Sequence, residues 1–173
     1  SYFNNFARAA IHWTSPRLRP KDLEFLRSLQ LVVRTPTFTV VHGTLSLPEQ
    51  FGYVISAVEA IESLDQQETR LCFVGHSHVP AIYLRRRDQP NEIHMVNHAE
   101  AEISYRGFDQ VLMNVGSVGQ PRDEDPRAAY GLVDTDLEVA CVKRVHYDIA
   151  GVQRKIRAAG LPDVLANRLG LGV

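Results

Sequence analysis

The most constraining stretch is Leu71-Cys72-Phe73-Val74 running into Gly75-His76-Ser77-His78-Val79-Pro80. A short apolar run closed by glycine and proline is the pattern of a buried strand that ends in a turn. The turn carries two imidazoles one residue apart. In an extended segment the side chains at i and i+2 point the same way, and neutral imidazole is a good ligand for zinc, manganese or iron. Such a pair can serve one metal ion or two neighbouring ones. Taken alone, the six residues fit equally well a polar turn that caps a strand, so the rest of the chain has to decide.

Around this strand the sequence alternates helical and extended patterns. Phe3, Phe6, Ala7, Ala10 and Trp13 recur at helical spacing, which predicts an amphipathic helix ending near Thr14-Ser15-Pro16 with Trp13 in the core. A second helix starts behind Pro20, with Leu23, Phe25, Leu26 and Leu29 as its apolar stripe. Residues 31–34 and 38–41 read as short strands around Thr35-Pro36-Thr37, the second leading straight into His42-Gly43. Val54, Ala57, Val58, Ile61 and Leu64 predict a third helix before the 71–74 strand. Further strands are predicted at 81–84, 93–96 and 111–115, and 130–133 with 137–145 form a hairpin around Asp134-Thr135-Asp136. Arg85-Arg86-Arg87-Asp88 reads as a solvated strand end. A helix over 149–159, stopped by Gly160, and a last helix behind Pro162, docked by Leu165 and Leu169, close the chain. With no repeat and no linker-like break, residues 1–173 are expected to form a single domain.

Composition narrows the class of function. With 173 residues, 45% hydrophobic and 23% charged, the chain can bury an ordinary globular core. Its 19 basic and 20 acidic side chains give a formal charge of -1. That excludes bulk electrostatic binding of nucleic acid or of a membrane surface, so any anionic substrate has to be recognised locally. Cys72 and Cys141 lie in apolar runs without a CxxC spacing and read as buried free thiols of a reducing, cytoplasmic compartment. No apolar run is long enough to span a bilayer, and the amino terminus is not of signal-peptide type. The chain opens without methionine, directly in a helical pattern, and reads as the continuation of a longer protein.

His42, the His76/His78 pair and the loop Asn114-Val115-Gly116-Ser117-Val118-Gly119-Gln120-Pro121-Arg122-Asp123 each stand at the carboxyl end of a predicted strand. That edge of a layered α/β fold is where loops converge and ligands bind. Three histidines brought there can hold a metal, which lowers the pKa of water and acts as a Lewis acid on a phosphoryl oxygen. Ser117 and its glycines can offer backbone N–H groups to an anion, and Arg122 can pair with phosphate. Arg122 can equally pair with Asp123, Glu124 or Asp125, and Ser117 lacks a Gly-x-Ser-x-Gly elbow, which favours a turn over a nucleophile. His12, His94, His98 and His146 have no paired ligand spacing.

Val41-His42-Gly43, the Gly75 to Pro80 turn, the Asn114 to Asp123 loop continuing to Asp125-Pro126-Arg127-Ala128, and Ala159-Gly160-Leu161-Pro162 resemble, in this order, the carboxyl-terminal two-thirds of calcineurin-like metallophosphoesterases. The resemblance implies a four-layer α/β/β/α sandwich and hydrolysis of phosphomonoesters or phosphodiesters at a dinuclear centre of manganese, iron or zinc. Carried over by position, His42 and His76 ligate one metal and His78 the other, while Asn114, Ser117 and Arg122 contact substrate at the floor and rim. The substrate is then a phosphorylated small molecule, a nucleotide or a phosphoprotein.

The family's Asp-x-His, Gly-Asp and Gly-Asn-His segments are absent from this sequence, and Asn97-His98 is preceded by Val96 rather than glycine. The expected acid histidine and the metal-bridging carboxylate therefore lie upstream of Ser1, on an amino-terminal segment or chain that completes the site. Three neutral imidazoles do not offset two divalent cations, so this chain alone is expected to hold at most one metal well. Two alternatives stand beside this reading: a non-catalytic scaffold that keeps the fold and works by protein contact, and a hydrolase with one metal held by all three histidines.

Overall fold

The structure is a computed structural model and describes residues 4–97 and 100–173. Phe3 and His98 lie outside the described residues. Its centre is a six-stranded sheet in the order β1 (Val32–Arg34), β2 (Phe38–Val41), β3 (Leu71–Val74), β7 (Gln110–Asn114), β4 (Ala81–Arg85) and β5 (Ile93–Asn97). β2, β3 and β7 run parallel, and the remaining pairs are antiparallel. Parallel strands are covered on both faces, which is why β3 and β7 read as unbroken apolar runs rather than alternating ones. A second, antiparallel sheet contains β6 (Ile103–Ser104), β9 (Val139–Val145) and β8 (Ala128–Asp134). The predicted hairpin is the β8–β9 pair.

Two apolar clusters separate the layers. On one face of the large sheet, Val41, Cys72, Val74, Tyr83 and Leu112 pack with Ala60 and Leu64 of α3 (Ala57–Asp65). On the other face, Ile82, Leu84, Val111 and Met113 meet Tyr105, Ala129, Ala140 and Val142 of the small sheet and its approach. Alternating residues of β4 thus feed both cores, as the strand's period of two requires. The two carboxyl-terminal helices, α4 (Ile149–Ala158) and α5 (Asp163–Leu171), pack on each other, and the buried Leu169 docks the second as expected. Both cysteines are free and buried, and burial pushes the Cys72 thiol up to about 12.

Three expectations are corrected. Helix α1 (Asn5–Thr14) buries none of its side chains: Trp13 is half-buried, with the Arg17 guanidinium 4.1 Å from its ring centre, rather than in the core. In α2 (Pro20–Ser28) and just beyond it, Leu23 is half-buried but Phe25, Leu26 and Leu29 of the same stripe are exposed. Arg85 is not a solvated strand end. It is buried at the end of β4, where it donates to Asp65 at 2.6 Å and to the side-chain oxygen of Gln110 at 2.8 Å. The carboxyl end of α3 lies over this strand end and supplies the carboxylate.

This buried guanidinium gives a test of the packing. Arg85→Met should cost about 2 kcal/mol in a urea-denaturation experiment, because the Gln110 oxygen is left buried without a donor and Asp65 loses its cation.

Candidate metal centre

The parallel alignment of β2, β3 and β7 carries three loops to one edge. The ladder continues past the strands: the Gly75 N–H donates to the His42 carbonyl at 3.0 Å, and the Val115 N–H donates to the Val74 carbonyl at 3.0 Å. At this edge the ring nitrogens His76 Nδ1 and His42 Nε2 stand 2.9 Å apart. The two rings share a hydrogen bond here, and tetrahedral metal–nitrogen bonds of about 2.0–2.1 Å would set the same nitrogens about 3.3 Å apart, so a small opening separates the pair from the spacing of two ligands on one ion.

His76 and His78 do not share a face of an extended segment, as the alternation rule predicts. Both are left-handed, each at φ 63, with the Ser77 N–H donating to the Gly75 carbonyl at 2.7 Å between them. Left-handed non-glycine residues of this kind gather at functional turns, where surrounding contacts hold them. The two imidazoles part: His76 turns to His42, while His78 Nδ1 donates to the Gln120 carbonyl at 2.6 Å, which leaves Nε2 as the atom with a lone pair. Among the described residues no group of three or more His, Cys, Asp or Glu side chains is arranged around one ion. The three-histidine, single-metal alternative is therefore not the arrangement found. Burial, then the neighbouring His42 and Arg122, lower the His76 pKa; burial, then Arg122, lower that of His78. Both effects favour the neutral form that ligates.

Asn114 lies beneath the turn at 0% exposure. Its side-chain N–H groups donate to the Gly75 carbonyl at 3.0 Å and to Ser77 Oγ at 2.8 Å, and its oxygen accepts from the Gly116 N–H at 3.1 Å. It is committed to holding the turn rather than facing outward. Ser117 Oγ accepts from the Gln120 N–H at 3.0 Å, closing a local turn, as the sequence favours. The loop beyond is clamped by a buried ion pair between Asp123 and Arg144 of β9, with Arg127 bound to Asp125 at 2.6 Å. Asp123 thus pairs across the fold, and Arg122 has no ion pair among the described residues. The Arg122 N–H donates to the His78 carbonyl at 3.2 Å, one guanidinium nitrogen donates to Gln120 at 3.1 Å, and its buried Nε has no hydrogen-bond partner among the described residues.

Sequence reading missed three neighbours. Tyr53 stacks on the His76 ring, with centroids 4.3 Å apart and planes at 27°, and the Phe51 ring lies 5.9 Å from His42. The pKa of Arg168 in α5 is lowered by burial and then by the charge of Arg122. The aromatic pair carried a signal, since it sits in the loop behind His42-Gly43. Arg168 carried none.

The sequence profile of the calcineurin-like phosphoesterase superfamily domain matches residues 20–138. The chain belongs to this superfamily. It is 37% identical to a metallophosphoesterase from Sphaerobacter thermophilus of known structure, with a TM-score of 0.84 over all of this chain and 70% of the other. An uncharacterized protein of Methanocaldococcus jannaschii is 33% identical over 99% of this chain and 68% of its own length. A hypothetical protein from Pyrococcus horikoshii, 17% identical, shares the fold with a TM-score of 0.72 over all of this chain and 63% of its own. The expected metallophosphoesterase fold is thereby established, and with it metal-dependent phosphoesterase chemistry as the general class.

Two outcomes test the geometry. Asn114→Ala should lower stability to urea by about 2 kcal/mol, because it leaves the buried Gly116 N–H without its acceptor and removes the two donations that tie Gly75 and Ser77 to β7. The Asp125 carboxyl, held by the Arg127 hydrogen bond, lies at about 2 instead of the ordinary 3.8. A folded-state pKa below the unfolded one contributes stability above the unfolded value that is lost as pH falls through the folded value. Asp125→Asn should therefore be less stable than the parent at pH 6, with the difference disappearing between about pH 4 and pH 2.

Proposed function

We propose that this chain is the histidine-bearing part of a phosphoester hydrolase with a dinuclear metal centre, in which His42 and His76 hold one ion and His78 the other. The observation that carries the reading is the 2.9 Å approach of the His42 and His76 nitrogens at the edge where three parallel strands end. When bound, divalent ions such as manganese, iron or zinc supply Lewis acidity toward phosphoryl oxygens and lower the pKa of water. The chain's own residues do the rest. Arg122, half-buried and without an acidic partner among the described residues, pairs with a phosphate oxygen. The Gln120 carbonyl fixes the His78 tautomer, and Asn114 holds the turn that presents both histidines.

Imidazoles alone leave the charge of two cations unbalanced, so acidic ligands and the acid histidine come, in this reading, from an amino-terminal portion. Two facts support that placement. The chain spans 68–70% of two of the relatives it matches. An apolar groove of about 590 Å³, lined by Leu26, Leu29, Leu31, Val33, Val40 and Phe73, reaches His42. In the complete protein, residues 1–173 form one domain with that portion, and the substrate is a phosphomonoester or phosphodiester of a small molecule, a nucleotide or a phosphoprotein. Its buried free thiols suit a reducing cytoplasm, and no helix among the described residues is long and apolar enough to cross a membrane.

Hydrolysis of p-nitrophenyl phosphate and bis-p-nitrophenyl phosphate with manganese should stay near background for residues 1–173. It should appear in a longer protein carrying the amino-terminal portion and be lost there on His76→Ala. Turnover by the isolated chain that survives His76→Ala overturns the reading.

A further inference from the structure

We propose that Tyr53 is a positioning residue for the metal centre, setting the plane of the His76 imidazole by stacking. The inference rests on the reading that His42 and His76 hold one ion.

Its basis is a difference between the two histidines of the turn. Both leave the backbone at left-handed residues, so neither ring is steered by a regular strand. The His78 ring is fixed through its Nδ1 donation to the Gln120 carbonyl. His76 has its Nδ1 turned to His42 and lacks a comparable bond to the 114–123 loop. Its ring contacts all come from one segment: His42 at 4.8 Å, Phe51 at 6.2 Å and Tyr53 at 4.3 Å between centroids. Only Tyr53 is stacked; the other two are edge-on or tilted. The Phe51 main chain adds a hydrogen-bonding contact to the same ring. The contacts to His42 and to the Phe51 main chain hold the edge of the His76 ring while stacking on Tyr53 holds its face, and groups that orient ligand rings contribute to metal affinity without touching the metal.

The loop is rigid enough for this work. Its ends are tied together, with the Thr44 N–H donating to the Gly52 carbonyl at 3.1 Å. A Cβ on Gly43 would sit 2.6 Å from the Gly52 carbonyl oxygen, and one on Gly52 would sit 2.8 Å from Thr44 Oγ1, so the crossing requires glycine on both sides. Buried Leu45 and Val54 anchor the segment, the Leu45 N–H donating to Ser63 Oγ of α3 at 3.1 Å. Tyr53 itself is 48% exposed, so removing its ring opens no core cavity.

The test is a cobalt(II) titration of residues 1–173, followed by visible absorption, with thermal unfolding of each protein recorded alongside. The parent should show a cobalt band that His76→Ala abolishes. Tyr53→Ala should bind cobalt about 10–100-fold more weakly, with a shifted band and an unchanged unfolding midpoint. Tyr53→Phe, which keeps the ring, should restore parental affinity, and Tyr53→Leu, which fills the space without a flat face, should not. Parental affinity and band shape in Tyr53→Ala, or in Tyr53→Leu, overturn the positioning role while leaving the metal site standing. A parent without a band sensitive to His76→Ala overturns both.

Discussion

Everything at the candidate centre depends on one buried carboxamide. Asn114 ends a central strand, lies under the histidine turn and satisfies three polar groups of two different loops. A buried amide leaves no freedom in such an arrangement, because each unmet bond carries a desolvation penalty. The turn can therefore keep two left-handed histidines that the backbone alone disfavours. The parallel strands bring the loops to one edge, and Asn114 converts that proximity into fixed geometry.

A second brace lies on the far side. Arg144 of β9 pairs with Asp123 and lies 3.7 Å from Asp125, which binds the loop carrying Arg122 to the small sheet, and the Asp125–Arg127 pair stiffens the loop itself. The carbonyl of Gly172, just past α5, accepts from the Glu124 N–H at 3.0 Å. Asp123 is engaged by Arg144 and Asp125 by Arg127, and Arg122 lies beside His78 without an ion pair among the described residues. Of the charged residues from 122 to 127, Asp123, Asp125 and Arg127 thus enter structural pairs, while Glu124 is exposed and Arg122 lies at the candidate centre.

Much of this was legible in the residues. The apolar runs at 38–41, 71–74 and 111–115 announced buried strands, and the histidine and asparagine endings announced the edge where a site forms. What was not legible was set by tertiary contact. The i/i+2 rule presupposes an extended backbone, and the hydrogen bonds around Gly75 and Ser77 override it. Arg85 looked solvated because its partners, Asp65 and Gln110, lie far away in sequence. Trp13 and the α2 stripe have helical periodicity, yet periodicity says only which face is apolar, not what covers it. Asn114 gave no sign that its amide points inward.

The left-handed backbone at His76 and His78 has an evolutionary consequence. Asparagine and aspartate tolerate that conformation about as well as histidine, and glycine better. Replacing either imidazole by glycine removes the ring while the turn above Asn114 keeps its shape, and aspartate or asparagine would put an oxygen where the ring nitrogen stood. The shape of this turn and the identity of its side chains are thus separable: the backbone can stay folded over Asn114 while a single substitution at 76 or 78 changes what this edge presents.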